Sequence, residues 1–124
     1  MTIHSFETVP GPSTIGYGAM WSDYPSAPED SAGALLGAQE GSLGTLHAKL
    51  VSSRALTINS VPCRAVASTI GQFAARERLC ISGTRFFMVR ASIPPNAQDA
   101  DATRFLDSFK PDSPKLLLKP TPAR

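Results

Sequence analysis

The stretch Gln72 to Ile93, QFAARERLCISGTRFFMVRASI, constrains the fold more than any other part of the chain. Two strand-like runs, Phe73 to Ile81 and Thr84 to Ile93, flank the pair Ser82-Gly83. A two-residue break of this kind predicts a hairpin with a tight turn, because glycine accepts the positive φ such turns need. Pro94-Pro95 ends the second run, since proline has no N–H to donate to a ladder.

Taking Ser82-Gly83 as the loop gives a register. Leu79 then faces Phe86, Glu77 faces Met88 and Ala75 faces Arg90 on one side of the pair. Cys80 faces Arg85, Arg78 faces Phe87 and Arg76 faces Val89 on the other, because opposed residues share a face. A second two-residue turn at Ile70-Gly71 sets Arg64 opposite Glu77, with Arg90 in diagonal reach. The expectation is a structural charge cluster of Arg64, Glu77 and Arg90. Arg76, Arg78 and Arg85 lie beside Phe87 on the other face. Arginine stems can cover apolar neighbours while their heads stay in water. Arg76, Arg78, Arg85 and Phe87 are therefore the expected binding surface for a protein partner.

The remaining elements follow from pattern and punctuation. Residues 1–15 read as an irregular lead-in, with Pro10-Gly11-Pro12 as a breaker. Gly16 to Tyr24 reads as a strand ended by Pro25. Ser26-Ala27-Pro28-Glu29 has the form of a capping box for a helix over about 28–44. That helix carries Gly33, Gly37 and Gly41 at four-residue spacing, which suggests a backbone lying close to a sheet. Residues 46–59 read as a strand interrupted near Ser52-Ser53, and Cys63 to Ser68 as another. Asn96 is placed to cap a last helix, with Ala102, Phe105, Leu106 and Phe109 on one face. Residues 111–124 form a Pro-rich basic tail, a short edge strand or unstructured. Together these predict one α+β domain over 16–110, with a mainly antiparallel sheet of five or six strands and two principal helices.

Composition narrows function by exclusion. A chain of 124 residues with 42% hydrophobic and 18% charged residues suits one folded domain. A net charge of +2 is too small to argue for nucleic acid. Residues 1–62 hold five acids and two bases, whereas 63–124 hold five acids and ten bases; a solvated sheet face is the first reading of this basic half, and an anionic or acidic-protein partner the alternative. No apolar run approaches the roughly 20 residues of a membrane span. Met1 to Pro12 lacks the basic and apolar regions of an export signal. The sequence as given therefore reads as cytoplasmic, with an exported domain cut from a longer precursor as the alternative.

No catalytic, metal or cofactor motif emerges. His4 and His47 have no ligand-type spacing, and there is no nucleophile elbow, dinucleotide loop or P-loop. Cys63 and Cys80 fall on one face as diagonal neighbours, about 7–8 Å apart and beyond the usual disulfide span. Two buried free thiols are preferred, although a two-residue slip in register would oppose the cysteines. Two rival functions remain. A small-ligand carrier would have its pocket between the sheet and the first helix near Trp21 and Tyr24. An enzyme would use Glu77 or Asp23 as an acid–base group and would need that carboxylate in a cleft away from arginine.

These pieces in this order resemble small bacterial proteins of the PsbP-like (Mog-like) fold. The resemblance rests on Trp21-Ser22-Asp23-Tyr24-Pro25, Val61-Pro62-Cys63-Arg64, Arg76 to Arg78, Gly83 to Val89 and Phe105 to Phe109, and covers about residues 16–110. Cys63 stands where a glycine is common, so the backbone there is expected to differ. The resemblance implies an antiparallel sheet flanked by helices. It also implies a non-enzymatic role as an accessory or assembly subunit or a protein-binding module, often exported.

Overall fold

The computed structural model describes residues 3–8, 10 and 13–111. Its core is one six-stranded sheet in which every neighbouring pair is antiparallel. The strands are β1 (Ile3–Glu7), β2 (Gly16–Asp23), β3 (Lys49–Ile58), β4 (Val61–Ile70), β5 (Phe73–Ser82) and β6 (Arg85–Ile93). Their order is β1-β2-β6-β5-β4-β3. Helix α1 (Ser31–Leu46) lies on one face against β4 and β5, and α2 (Asp99–Ser108) on the other against β6 and β5. This is the α+β architecture expected from the sequence. One difference lies in the lead-in: Ile3–Glu7 is not irregular but pairs along β2 from Ile3↔Ser22 to Glu7↔Gly18. The tail 112–124 lies outside the described residues.

Both hairpin turns sit one residue later than expected. The β5–β6 loop is Gly83-Thr84, not Ser82-Gly83, and the β4–β5 loop is Gly71-Gln72, not Ile70-Gly71. In each, glycine takes the first loop position with positive φ, 60° at Gly83 and 59° at Gly71. A side-chain-bearing residue is disfavoured there. Moving a loop by one residue changes pairing by two. Leu79 therefore faces Met88 rather than Phe86, and Glu77 faces Arg90 rather than Met88. A shift of two preserves parity, so every side chain stays on its predicted face. The β3–β4 loop is Asn59-Ser60, where both residues have positive φ, the requirement of a type I′ turn. The expected break in β3 is a bulge at Val51, between the pairs of Leu50 and Ser52.

Burial explains the uneven patterning of the strands. β5 is central and covered on both faces, so its second half, Arg78 to Ser82, is buried without alternation. β3 is an edge strand and largely exposed. On the α1 side Leu35, Val66, Leu79, Ile81 and Phe86 form the core. On the α2 side there are two groups, Ile15, Ala91, Ile93 and Ala102, and then Val61, Cys63 and Cys80 with Phe87 and Phe109 packed on them.

The helix starts also differ from expectation. α1 is capped by Asp30, whose side chain accepts from the Gly33 N–H at 3.0 Å, and not by a box at Ser26 and Glu29. A Cβ on Gly33 would come within 2.5 Å of the Asp30 carboxylate, so that glycine serves the cap. Gly37 and Gly41 have no heavy atom within 4 Å of an added Cβ, which rules out close approach to the sheet as their reason. α2 starts after Gln98, beyond Asn96, and has no side-chain cap; Asp99 and Asp101 in its first turn favour the positive end of the helix.

Candidate binding surfaces

The revised register redistributes the charged residues. Glu77 is 2% exposed and lies directly opposite Arg90. Arg90 Nε donates to Glu77 Oε2 at 2.7 Å, and the Ser42 hydroxyl from α1 approaches the same oxygen at 3.0 Å. Arg90 Nη2 donates to Ser42 Oγ at 3.2 Å, which closes a three-residue polar knot under α1. Arg64 does not join it. The two-residue shift sets Arg64 opposite Leu79, so the expected trio of Arg64, Glu77 and Arg90 is corrected to Ser42, Glu77 and Arg90. Arg64 instead donates from Nε to Gln39 Oε1 and Ser53 Oγ, both at 3.0 Å, tying β4 to α1 and the edge strand. Gln39 is buried, and its role in this second knot was invisible in the sequence because it depends on which side of α1 meets β4.

The arginine face is occupied from within the chain. Arg76 Nη1 donates to Thr103 Oγ1 at 2.6 Å and reaches Asp99 at 3.4 Å. Arg78 is buried and pairs with Asp107 at 3.3 Å. Both heads are engaged by α2: Arg78 is buried, and Arg76 stays partly exposed but is tied to Thr103 and Asp99, so neither stands free in water, contrary to the expectation from sequence. Arg85 grips Asp23 through two bonds, Nε to Oδ1 at 2.7 Å and Nη2 to Oδ2 at 2.9 Å. These hydrogen bonds hold the Asp23 carboxyl below its ordinary value. Phe87 packs edge-on against Phe109, ring centroids 5.9 Å apart. With Arg76, Arg78 and Arg85 matched by Asp99, Asp107 and Asp23, the basic excess of the second half does not emerge as a basic patch at these residues.

The cysteines are directly opposed, and Cys63 and Cys80 form a disulfide with Cα atoms 4.1 Å apart. The preference for free thiols is thereby corrected. The same two-residue shift is the physical reason, since it turns a diagonal pair into a facing one.

Two features of the surface remain available. The first is aromatic. On the face that carries α2, His4 stacks on Trp21 at 4.6 Å, Trp21 faces Phe87 across β2 and β6, and Phe6 follows His4 on the same side of β1. Trp21 is 38% and Phe6 57% exposed. α2 meets β2 through the contact of Phe105 with Tyr17 at 4.5 Å, further along the strand. The second is a trough on the α1 side. A hollow of about 260 Å³ lies beside Tyr24, Pro28, Ala34, Ile81 and Phe86. A larger one of about 480 Å³ lies along Met20, Leu46, Phe86, Met88 and Arg90. Ala38 and Phe86 line both. Tyr24 borders the expected pocket, whereas Trp21 lies on the opposite face of the sheet. Among the described residues, no group of three or more His, Cys, Asp or Glu is arranged to hold a metal ion, and no helix is long and apolar enough to cross a membrane.

No family model matches the sequence, and no curated protein matches it at a significant level. Solved structures do. A protein of unknown function from Pseudomonas aeruginosa, proposed as a regulator, superposes with a TM-score of 0.58 at 11% identity, over 98% of this chain and 85% of that one. Cyanobacterial PsbP from Synechocystis superposes with a TM-score of 0.54 at 8% identity, over 86% of this chain and 77% of that one. The chain has the PsbP-like fold. At such identities the likeness carries the fold alone, because one fold hosts many functions.

Proposed function

We propose that the chain is a non-catalytic accessory protein that works by holding another protein. The supporting observation is the exposed aromatic strip of His4, Phe6 and Trp21, bordered by Phe87 and the Arg85–Asp23 pair. Tryptophan and arginine are enriched where binding energy concentrates, and uncovered aromatics of this size mark contact surfaces. Arg85 and Phe87 remain in the proposed surface because they border the aromatic strip; Arg76 and Arg78 leave it because Thr103, Asp99 and Asp107 of α2 engage them. The candidate acid–base groups argue against an enzyme, since Glu77 is tied to Arg90 and Ser42 and Asp23 to Arg85. Replacing Phe6 and Trp21 together by serine is expected to abolish partner capture in a protein that still unfolds cooperatively, with Phe6→Ser alone, at the more exposed position, weakening capture at little cost in stability. Undiminished capture by the double variant would remove the surface.

The buried Cys63–Cys80 disulfide supports an oxidising compartment, in line with the exported alternative. Acid-quenching cells and alkylating the denatured protein, before and after reduction, tests this; cysteines that alkylate under denaturing conditions without reduction speak for the cytoplasm, since both are buried in the fold. A second reading, a small-ligand carrier, is favoured by the trough between α1 and the sheet.

A further inference from the structure

We infer that the trough beside α1 takes a long-chain aliphatic carboxylate, with its chain along the helix and its head on Arg90; this rests on the carrier reading. α1 packs on β4 and β5, and the trough opens between its other flank and β6, β2 and β1. The two hollows share Ala38 and Phe86 and so run together along the helix. From Ala34 to Leu46 that helix extends about 18 Å at 1.5 Å per residue. The walls are apolar for most of this length, and Met20 and Met88 supply side chains that adapt to an irregular guest. Gly41 lines the wall where an added Cβ would meet nothing, so the space there is open.

One end differs in chemistry. Arg90 has a side chain 19% exposed, and buried Glu77 fixes its Nε. Its Nη2 donates to Ser42 and, weakly, to Met88 Sδ at 3.5 Å. Its Nη1 approaches only Glu7 Oε1 among the described residues, at 4.0 Å, beyond hydrogen-bond length. A guanidinium carries five N–H donors. Here the fork is held in place while the Nη1 donors stay unspent at the mouth of an apolar trough. A carboxylate suits them in both charge and planarity. Glu7 is the competitor for those donors. Its side chain is 72% exposed and can turn to water when a ligand carboxylate arrives.

The test is calorimetric titration of the intact protein with dodecanoate, dodecanol and dodecyltrimethylammonium, the two ions below their micelle concentrations and dodecanol below its solubility limit. Dodecanoate is expected to bind one to one and at least about tenfold tighter than dodecanol, the worth of a charge-assisted hydrogen bond. Glu7→Gln should tighten dodecanoate binding several-fold and leave dodecanol unchanged. Arg90→Lys, which keeps a positive partner for Glu77, should weaken dodecanoate without affecting dodecanol. Gly41→Phe, which fills the open wall, should block both. Equal binding of dodecanol and dodecanoate, or preference for the cation, overturns the carboxylate assignment while the carrier reading stands. Failure of all three to bind wild-type protein removes both.

Discussion

The Glu77–Arg90 pair offers the sharpest energetic test of the structure, because its two members are buried unequally. Arg90→Met leaves the Glu77 carboxylate 2% exposed with the Ser42 hydroxyl as its remaining donor. Breaking a buried pair in this way costs about 3–5 kcal/mol, since an uncompensated charge stays out of water. Glu77→Met leaves a guanidinium that is 19% exposed and has Glu7 at 4.0 Å, so water and a neighbouring carboxylate soften the loss. About 1–3 kcal/mol is expected there. The double variant, Glu77→Met with Arg90→Met, removes both charges and fills similar volume. It should lie within about 2 kcal/mol of wild type. Urea unfolding of the four proteins closes the cycle, and the double variant's cost should fall well short of the two single costs added together. Two results would refute the reasoning: simple additivity of the single costs, or equal costs for the two single changes. The first would mean that the charges do not meet; the second would mean that Glu77 is not the more deeply buried member.

Three other perturbations read separate parts of the fold. Gly37→Ala and Gly41→Ala should each stabilise α1 by up to about 1 kcal/mol, because the added methyl meets nothing and the helix gains propensity; Gly33→Ala should instead lower the melting temperature by disturbing the Asp30 cap. Replacing Cys63 and Cys80 by alanine should cost about 3 kcal/mol by the chain-entropy account of a loop of this size, the separation being 17 residues, and chemical denaturation measures it. Asp23 has a folded-state value depressed by Arg85. Its contribution is therefore present above the unfolded value near 3.8 and is lost as pH falls through the lower folded value. Asp23→Asn should flatten that part of the acid limb, and an unchanged acid limb would show that the pair contributes nothing to stability.

Much of the fold was legible in the residues themselves. The runs around Gly83, the breakers Pro25 and Pro94-Pro95, and the apolar face of Ala102 and Leu106 mark strands and a helix by period and punctuation. β1 was missed because Ile3–Glu7 is short, with His4 to Glu7 exposed and no apolar alternation to announce it. The Asp30 cap was missed because Ser26 and Glu29 present an equally good local signal. The candidate sites were less legible than the elements. Arg76 and Arg78 share a face with Phe87 as expected, yet nothing local says that α2 will bring Asp99, Thr103 and Asp107 down upon them.

The chain alone determined which side of the sheet each residue of β5 and β6 occupies. Side chains alternate with period two, and a shift of two residues leaves that sorting unchanged. The tertiary structure decided who meets whom. Glycine's preference for the first loop position sets Cys63 against Cys80 and Glu77 against Arg90. The packing of α1 and α2 then determines which arginines are covered and which trough stays open. Parity is a local property of a strand, whereas partnership and burial depend on turns and on helices distant in sequence.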